Sequence, residues 1–378
     1  MVHFDQFNIT DGLILKRSGL ARVTIVARGN YTATKGKGMT FRSQKYGNIS
    51  NWQPDRLCAS VAEAADRSYS HVFLTTKVIP EIQKTTELLS PFLTPTYTNK
   101  FPQPTYVLFQ NGLNIEVDLM NALRALKPTE EPKVVGASFY IGTRRVDNTT
   151  VEHSYFDRAQ LGIYRTTPNV LSNTPEETAI INSIGDVLKA GGTDVTIFPE
   201  IQRVKFEKNI WNAVFGPIAV LARNPLQSIF RPPQITVDNP DFDPTTMPHV
   251  KYGDATIPAA SEYIAKNTIP FIWELLQEAR NVGNAIFPPT EDGPVYTEKN
   301  IEGILQRTSF IASKPTSTER PSIFVDVESE RPMEVEVLVG ELVRIGRRLN
   351  VLIPRLEAIY AMLIVTQNEL LRKSVSSK

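Results

Sequence analysis

The stretch "RVKFEKNIWNAVFGPIAVLAR", residues 203–223, sets a cation and an amide on one face of a predicted helix. Lys208 and Asn212 are four apart, and Gly216 lies a further turn along. Phe206, Ile210, Trp211, Val214 and Phe215 form an apolar stripe on the same helix. A lysine and an amide on the inner face of such a helix need a reason, because buried polar groups must be paired. A positioned ammonium can stabilise and protonate an oxygen that gains negative charge. By spacing alone the plainer reading also stands, a surface lysine with an asparagine beside it.

A second stretch, "RPSIFVDVESERPMEVEVLVGELVRIG" at 320–346, places Val335, Leu338, Leu342 and Ile345 at helical spacing. Glu334 starts that helix, where the helix dipole favours a carboxylate whether or not it has a function. Ser322 and Asp326 flank the preceding turn and read equally well as loop caps. In the first half, Arg28, Lys77 and Asn111 fall at the C-terminal ends of predicted strands. That edge is where ligands bind in open parallel sheets. Arg28 stands where an acidic residue would bind the ribose hydroxyls of NAD. A cation there suits a 2′-phosphate, and hence NADP.

The elements that must position these residues alternate in the first half. "RVTIVA", "HVFLTTK" and "TYVLFQNG" read as strands. Between and after them, "SVAEAADR" and "IEVDLMNALRAL" read as helices, Ser60 and Glu63 having capping-box spacing. This alternation predicts a parallel sheet with helices on its faces. Residues 133–165 read as antiparallel additions. "TPEETAIINSIGDVLKAGG" is a helix capped by Thr174, with Pro175 in its first turn, Glu177 completing a capping box and Gly191 stopping it. A last strand, "DVTIF", precedes Pro199. Beyond it the pattern is helical, except for Pro-rich excursions at 224–258 and 287–322. The expected fold is α/β: a Rossmann-like N-terminal domain over 1–199 and an all-α C-terminal domain over 200–378.

Composition narrows the function classes. The net charge of +1 gives no bulk attraction to nucleic acid or an anionic membrane. The longest apolar runs, such as "AMLIV" at 361–365, are far too short to span a bilayer. No secretory signal is visible at the start, and the glycosylation-type tripeptides at Asn8, Asn48 and Asn148 are read as chance. The single cysteine, Cys58, allows no intrachain disulfide, so a reducing cytoplasmic location is expected. Four scattered histidines show no ligand spacing, and no metal site is expected.

Taken in order, "VARGNY", "LTTK", "LFQNGLN", "KNIWNAVFG" and "RPSIFVDVESERPMEVEVLVG" resemble the ketopantoate reductases (2-dehydropantoate 2-reductases), in the style of fungal members, from about residue 13 onward. The resemblance implies a Rossmann-like domain followed by a helical domain like the C-terminal domain of 6-phosphogluconate dehydrogenase, with the site in a cleft between. It implies NADPH as cofactor, a small 2-oxo acid as substrate, and pairing of two copies through the helical domain. Lys208 matches the lysine that gives a proton to the substrate carbonyl, and Glu334 the carboxylate that holds substrate polar groups. Asn212 and Ser322 match substrate contacts. Asn111 and Lys77 match residues lining cofactor and substrate, and Arg28 the 2′-phosphate arginine.

Two departures bear on the substrate. Gly216 and Val339 stand where the family usually has asparagines. A third bears on the cofactor. Relatives carry a strand and a G-x-G-x-x-G loop directly before the helix that here reads "LILKRSGLA"; this chain has "MVHFDQFNITDG" there, with Gly12 alone. The first strand and the phosphate loop are therefore expected to be missing, by an incomplete reading of the start of the gene or in a degenerate paralogue. Three functions follow: an NADPH-dependent ketopantoate-type reductase, a reductase of another ketone in secondary metabolism, or a non-catalytic paralogue that has lost its nucleotide site.

Overall fold

The computed structural model describes residues 2–4, 9–27, 29–167, 170–239, 242–291 and 293–376. The chain divides into two compact units, Met1–Lys205 and Phe206–Lys378, and the division falls within helix Ile201–Ala222.

Among the described residues the first unit holds a ten-stranded sheet. In chain order its strands are β1 (Val2–Phe4), β2 (Thr24–Ala27), β3 (Met39–Ser43), β4 (Gly47–Trp52) and β5 (Arg56–Cys58). They continue with β6 (His71–Leu74), β7 (Thr105–Leu108), β8 (Val134–Arg145), β9 (Thr150–Ile163) and β10 (Asp194–Ile197). The run β5-β2-β1-β6-β7-β8 is parallel throughout. Taken by themselves, these strands have the doubly wound order, with the topological switch between β1 and β6. Both faces are buried, as a parallel sheet requires. Ile25, Phe73, Val107, Val135 and Ala137 share a core with helices Ile9–Arg17 and Pro175–Gly191, while alternate residues such as Val26, Val72 and Leu108 are buried as well.

The structure corrects the sequence reading at its start. A first strand is present. β1 lies between β2 and β6, with Val2 opposite Ile25 and Phe73, and His3 opposite Val26 and Leu74. Three residues are enough to pair both neighbours, and so short a strand has no readable period. The expected phosphate-loop position, Asp5–Asn8, lies outside the described residues, as does Arg28.

The antiparallel addition is the β8–β9 hairpin, with a register shift between Ile141 and Thr143. The β3–β4 hairpin, which the sequence reading missed, pairs with β9 through β3. Helix Pro175–Gly191 has its capping box, and it ends at Gly192 (φ +106°), one residue later than expected. Gly191 serves close approach instead: a Cβ there would lie 2.3 Å from the Ile14 carbonyl oxygen.

In the second unit, helix Ile201–Ala222 is followed by helices Gln227–Phe230, Ile269–Ile286, Glu298–Ser313, Ser322–Glu328, Glu341–Arg348 and Pro354–Ser376. The unit is not all helix. An antiparallel hairpin, β11 (His249–Tyr252) and β12 (Ala255–Pro258), sits in the first Pro-rich stretch. The second Pro-rich stretch contains a full helix, Glu298–Ser313, capped by Thr297 and burying Ile301, Ile304, Leu305 and Ala312. Flanking prolines hid this period from the sequence reading. Among the described residues, no helix is long and apolar enough to cross a membrane.

One buried acid stands out. Asp11, in the first turn of helix Ile9–Arg17, is fully buried, and neither carboxyl oxygen has a hydrogen-bond partner. Burial, and then the charge of Asp157, push its pKa well above the usual carboxylate range. Asp157 has the partners that Asp11 lacks, accepting from the Tyr46 hydroxyl at 2.7 Å and Lys45 Nζ at 3.1 Å. Because the folded pKa of Asp11 is raised, the folded state loses stability relative to the unfolded one as pH climbs above the ordinary carboxyl range. Asp11→Asn is therefore expected to raise Tm at about pH 8 and to have little effect near pH 4. Thermal denaturation across that range checks it. A difference in Tm independent of pH would contradict the assignment.

Candidate active site

Helix Ile201–Ala222 presents two polar pairs at the same spacing. Lys205 and Asn209 form the deeper one, only 7% and 3% exposed. Lys208 and Asn212 are half-buried on the adjoining face. The sequence reading put the latter pair innermost and missed the former. The signal was available, since Lys205 and Asn209 are four apart in line with Ala213 on the buried side of the helix.

Lys205 forms an ion pair with Glu116, which is itself buried at the start of helix Val117–Leu126. Both partners belong to the first unit. β8 passes close to them at Gly136, where a Cβ would lie 3.1 Å from Glu116 Oε1 and 3.3 Å from Ile201 Cγ2. A lysine ammonium is tolerated here because its carboxylate partner is equally withdrawn from water.

Asn209 turns the other way. Its Nδ2 donates to the Leu338 carbonyl at 2.9 Å. Leu338 lies in a π-helical turn, Glu336–Gly340, that leads into helix Glu341–Arg348. Glu334 is buried just ahead of this element, and its carbonyl accepts from Leu338 N at 3.1 Å. The residue before it is fixed from helix Pro354–Ser376: Gln367 Oε1 accepts from Met333 N at 2.8 Å, and Gln367 Nε2 donates to Met333 O at 3.0 Å. On the outer side, Tyr360 donates to Glu336 at 2.8 Å, and Arg344 pairs with Glu336 at 2.7 Å. Burial, helped by that hydrogen bond, pushes the Tyr360 phenol up to about 12.

Ser322 is exposed at the start of helix Ser322–Glu328. Its neighbour Ile323 packs on Gly216, where a Cβ would lie 2.9 Å from Ile323 Cδ1 and Cγ1. An asparagine at 216 would therefore have to displace Ile323. Asp326 is not a loop cap. It is fully buried inside the helix, with Arg331 Nη2 3.7 Å from its Oδ1. Within the second unit, then, helix Ile201–Ala222 carries Lys208 and Asn212, touches the Ser322 helix through Gly216, and is bonded to the Glu334 element through Asn209.

In the first unit, Lys77 and Asn111 follow β6 and β7 at their C-terminal ends and are half-buried. Gln110, also missed, joins the two ends, its Nε2 donating to Thr76 O at 3.0 Å and Thr76 Oγ1 at 2.9 Å. Its Oε1 is buried and accepts no hydrogen bond. Thr76, Lys77, Gln83, Lys84, Thr85 and Gln110 line a pocket at this rim. Val78, Ile79, Ile82 and Leu88 line the same pocket, so polar and apolar side chains share this rim. Among the described residues, no group of His, Cys, Asp or Glu could hold a metal ion.

These features define a class: a doubly wound α/β unit followed by a largely helical unit with a line of buried polar side chains. Residues 258–367 match the ketopantoate reductase PanE/ApbA C-terminal family. Along its length the chain has the fold of solved 2-dehydropantoate 2-reductases. It is similar to the 2-dehydropantoate 2-reductase of Methylococcus capsulatus, with 23% identity, a TM-score of 0.71, and 98% of this chain and 97% of that one covered. A D-mandelate dehydrogenase solved with NADH and anilino(oxo)acetate gives a TM-score of 0.69 at 11% identity, with 98% of each chain covered. The Saccharomyces cerevisiae protein YDL144C is 22% identical over 367 residues, which are 92% of this chain and 87% of that protein.

The Lys205–Glu116 pair can be tested alone. Glu116→Gln leaves a buried ammonium without its counter-charge and is expected to cost about 3–5 kcal/mol. Glu116→Leu combined with Lys205→Met removes both charges and should recover most of that loss. Urea denaturation of both variants checks this. A single variant within about 1 kcal/mol of the parent would contradict it.

Proposed function

We propose that the protein is an NADPH-dependent reductase of a 2-oxo acid, of the ketopantoate type, converting 2-dehydropantoate to pantoate. The observation that carries this reading is the convergence on helix Ile201–Ala222. Lys208 and Asn212 sit half-buried on it, and the element opened by the buried Glu334 is bonded to it. The family match over 258–367 supports the same reading.

The assigned roles follow from the chemistry. Hydride addition builds negative charge on the substrate oxygen. Lys208 opposes that charge and supplies the proton. Asn212, one turn along, donates to the substrate, Glu334 accepts from its hydroxyl, and Ser322 reaches its carboxylate. Lys77 and Asn111 would hold the cofactor at the sheet rim, and Arg28 its 2′-phosphate. The nicotinamide, when bound, supplies the hydride. The exposed apolar residues Ala358, Met362 and Val365 on helix Pro354–Ser376 suit pairing with a second copy.

A second reading keeps the reaction and changes the ketone. It is favoured by Gly216, where Ile323 fills the space that an asparagine side chain would need, and by the fully buried Val339.

Lys208→Ala removes both the proton and the cation, and is expected to lower kcat by ~10²–10⁴ on the best substrate. Glu334→Ala should raise KM as well, since it holds substrate before the reaction. Steady-state reduction of 2-dehydropantoate, and then of other 2-oxo acids, checks both. A Lys208→Ala enzyme that keeps kcat within a fewfold refutes the mechanism.

A further inference from the structure

We propose that Asn209 is a positioning residue, whose hydrogen bond to the Leu338 carbonyl sets the spacing between the helix that bears Lys208 and the element opened by Glu334. The proposal rests on the roles given above to Lys208 and Glu334.

The geometry is specific. Asn209 adjoins Lys208 in sequence and is 3% exposed. Its Nδ2 meets Leu338 O at 2.9 Å, across 129 residues of chain. Leu338 is four residues beyond Glu334 and is bonded to it through Leu338 N and Glu334 O. One side-chain hydrogen bond thus joins a residue beside the lysine to a residue one turn from the carboxylate.

The acceptor lies in a local irregularity. Between Glu336 and Gly340 the helix widens, Glu341 N bonding to Glu336 O five residues back. A π turn shifts carbonyls and side chains out of the α-helical register, and such turns recur at functional sites. The same segment is anchored at its other end, where Gln367 holds both backbone polar groups of Met333. Glu334 is therefore fixed from two sides, by Gln367 before it and by Asn209 after it.

Stability alone explains Asn209 poorly. Its Oδ1 is buried and accepts no hydrogen bond. A half-satisfied buried amide is a cost that an apolar side chain of similar size would avoid. What leucine could not supply is the directional bond to Leu338. Displacing a reacting group by about 1 Å costs on the order of 10²-fold in rate, so a brace between the two arms has a kinetic reason to exist.

The test compares Asn209→Leu, which removes the donor at similar volume, with Asn209→His, whose Nδ1–H can replace it. Asn209→Ser is carried alongside in case the leucine variant does not fold. Kinetics are measured with 2-dehydropantoate and NADPH, together with Tm and amide hydrogen exchange over 332–342. Asn209→Leu is expected to lower kcat by about 10- to 100-fold with KM within about threefold. Tm should be kept or raised, exchange over 332–342 should be faster, and the histidine variant should restore most of kcat. Two results overturn the proposal: kcat of Asn209→Leu within about twofold of the parent, or equal losses in the leucine and histidine variants, which would mean packing alone. Lys208→Ala and Glu334→Ala in the same assay separate the two layers. If they lose activity while Asn209→Leu does not, only the brace is wrong. If they keep it, the functional reading fails and the brace falls with it.

Discussion

Polar groups withdrawn from water must find partners, and helix Ile201–Ala222 is organised by that requirement. Lys205 and Asn209 lie on its buried side among Phe206, Ile210 and Ala213. The Lys205 ammonium and the Asn209 amide N–H each meet a complement supplied by a distant element. Glu116 gives Lys205 a carboxylate, and Leu338 gives Asn209 a carbonyl. Within the second unit the bond to Leu338 adds a directional contact to the apolar packing of the helix, and Lys208 and Asn212 lie one step round the same element.

The two arms that approach the helix in the second unit are held with the same economy. Ser322 enters on a segment packed against Gly216, and Glu334 enters on one secured by Gln367 and Asn209. In the first unit the sheet does the positioning. Placing β1 between β2 and β6 makes the switch point, and Gln110 stitches the ends of β6 and β7 beside Lys77 and Asn111. The candidate residues lie on helices, at strand ends or, for Glu334, just ahead of a helical element, and the contacts described around them lie a residue or a turn away.

Much of this was legible in the sequence where a local rule applied. The strands before Lys77 and Asn111 were readable from apolar runs ending in polar corners, and helix Pro175–Gly191 from its capping box. Glu334 was placed correctly at a helix start because Val335, Leu338, Leu342 and Ile345 keep the helical period. Local rules failed where the cause was tertiary. β1 is too short to show a period and is defined by its two neighbours. Lys205 and Asn209 were missed, and their partners lie 89 and 129 positions away. Helix Glu298–Ser313 was masked by flanking prolines, although its capping threonine was in view. The glycine at 216 read as a departure bearing on the substrate, and in the structure Ile323 packs where its side chain would stand.

The central claim is that these side chains serve hydride transfer to the carbonyl carbon of a 2-oxo acid. The most direct measurement uses NADPH carrying deuterium at the transferable position of the nicotinamide. Incubated with the protein and 2-dehydropantoate, it should place one deuterium at C2 of the resulting 2-hydroxy acid, seen by NMR and mass spectrometry, and do so ~10²–10⁴-fold more slowly when Lys208 is replaced by alanine. If no deuterium reaches C2 of 2-dehydropantoate or of any other 2-oxo acid offered, the account is wrong.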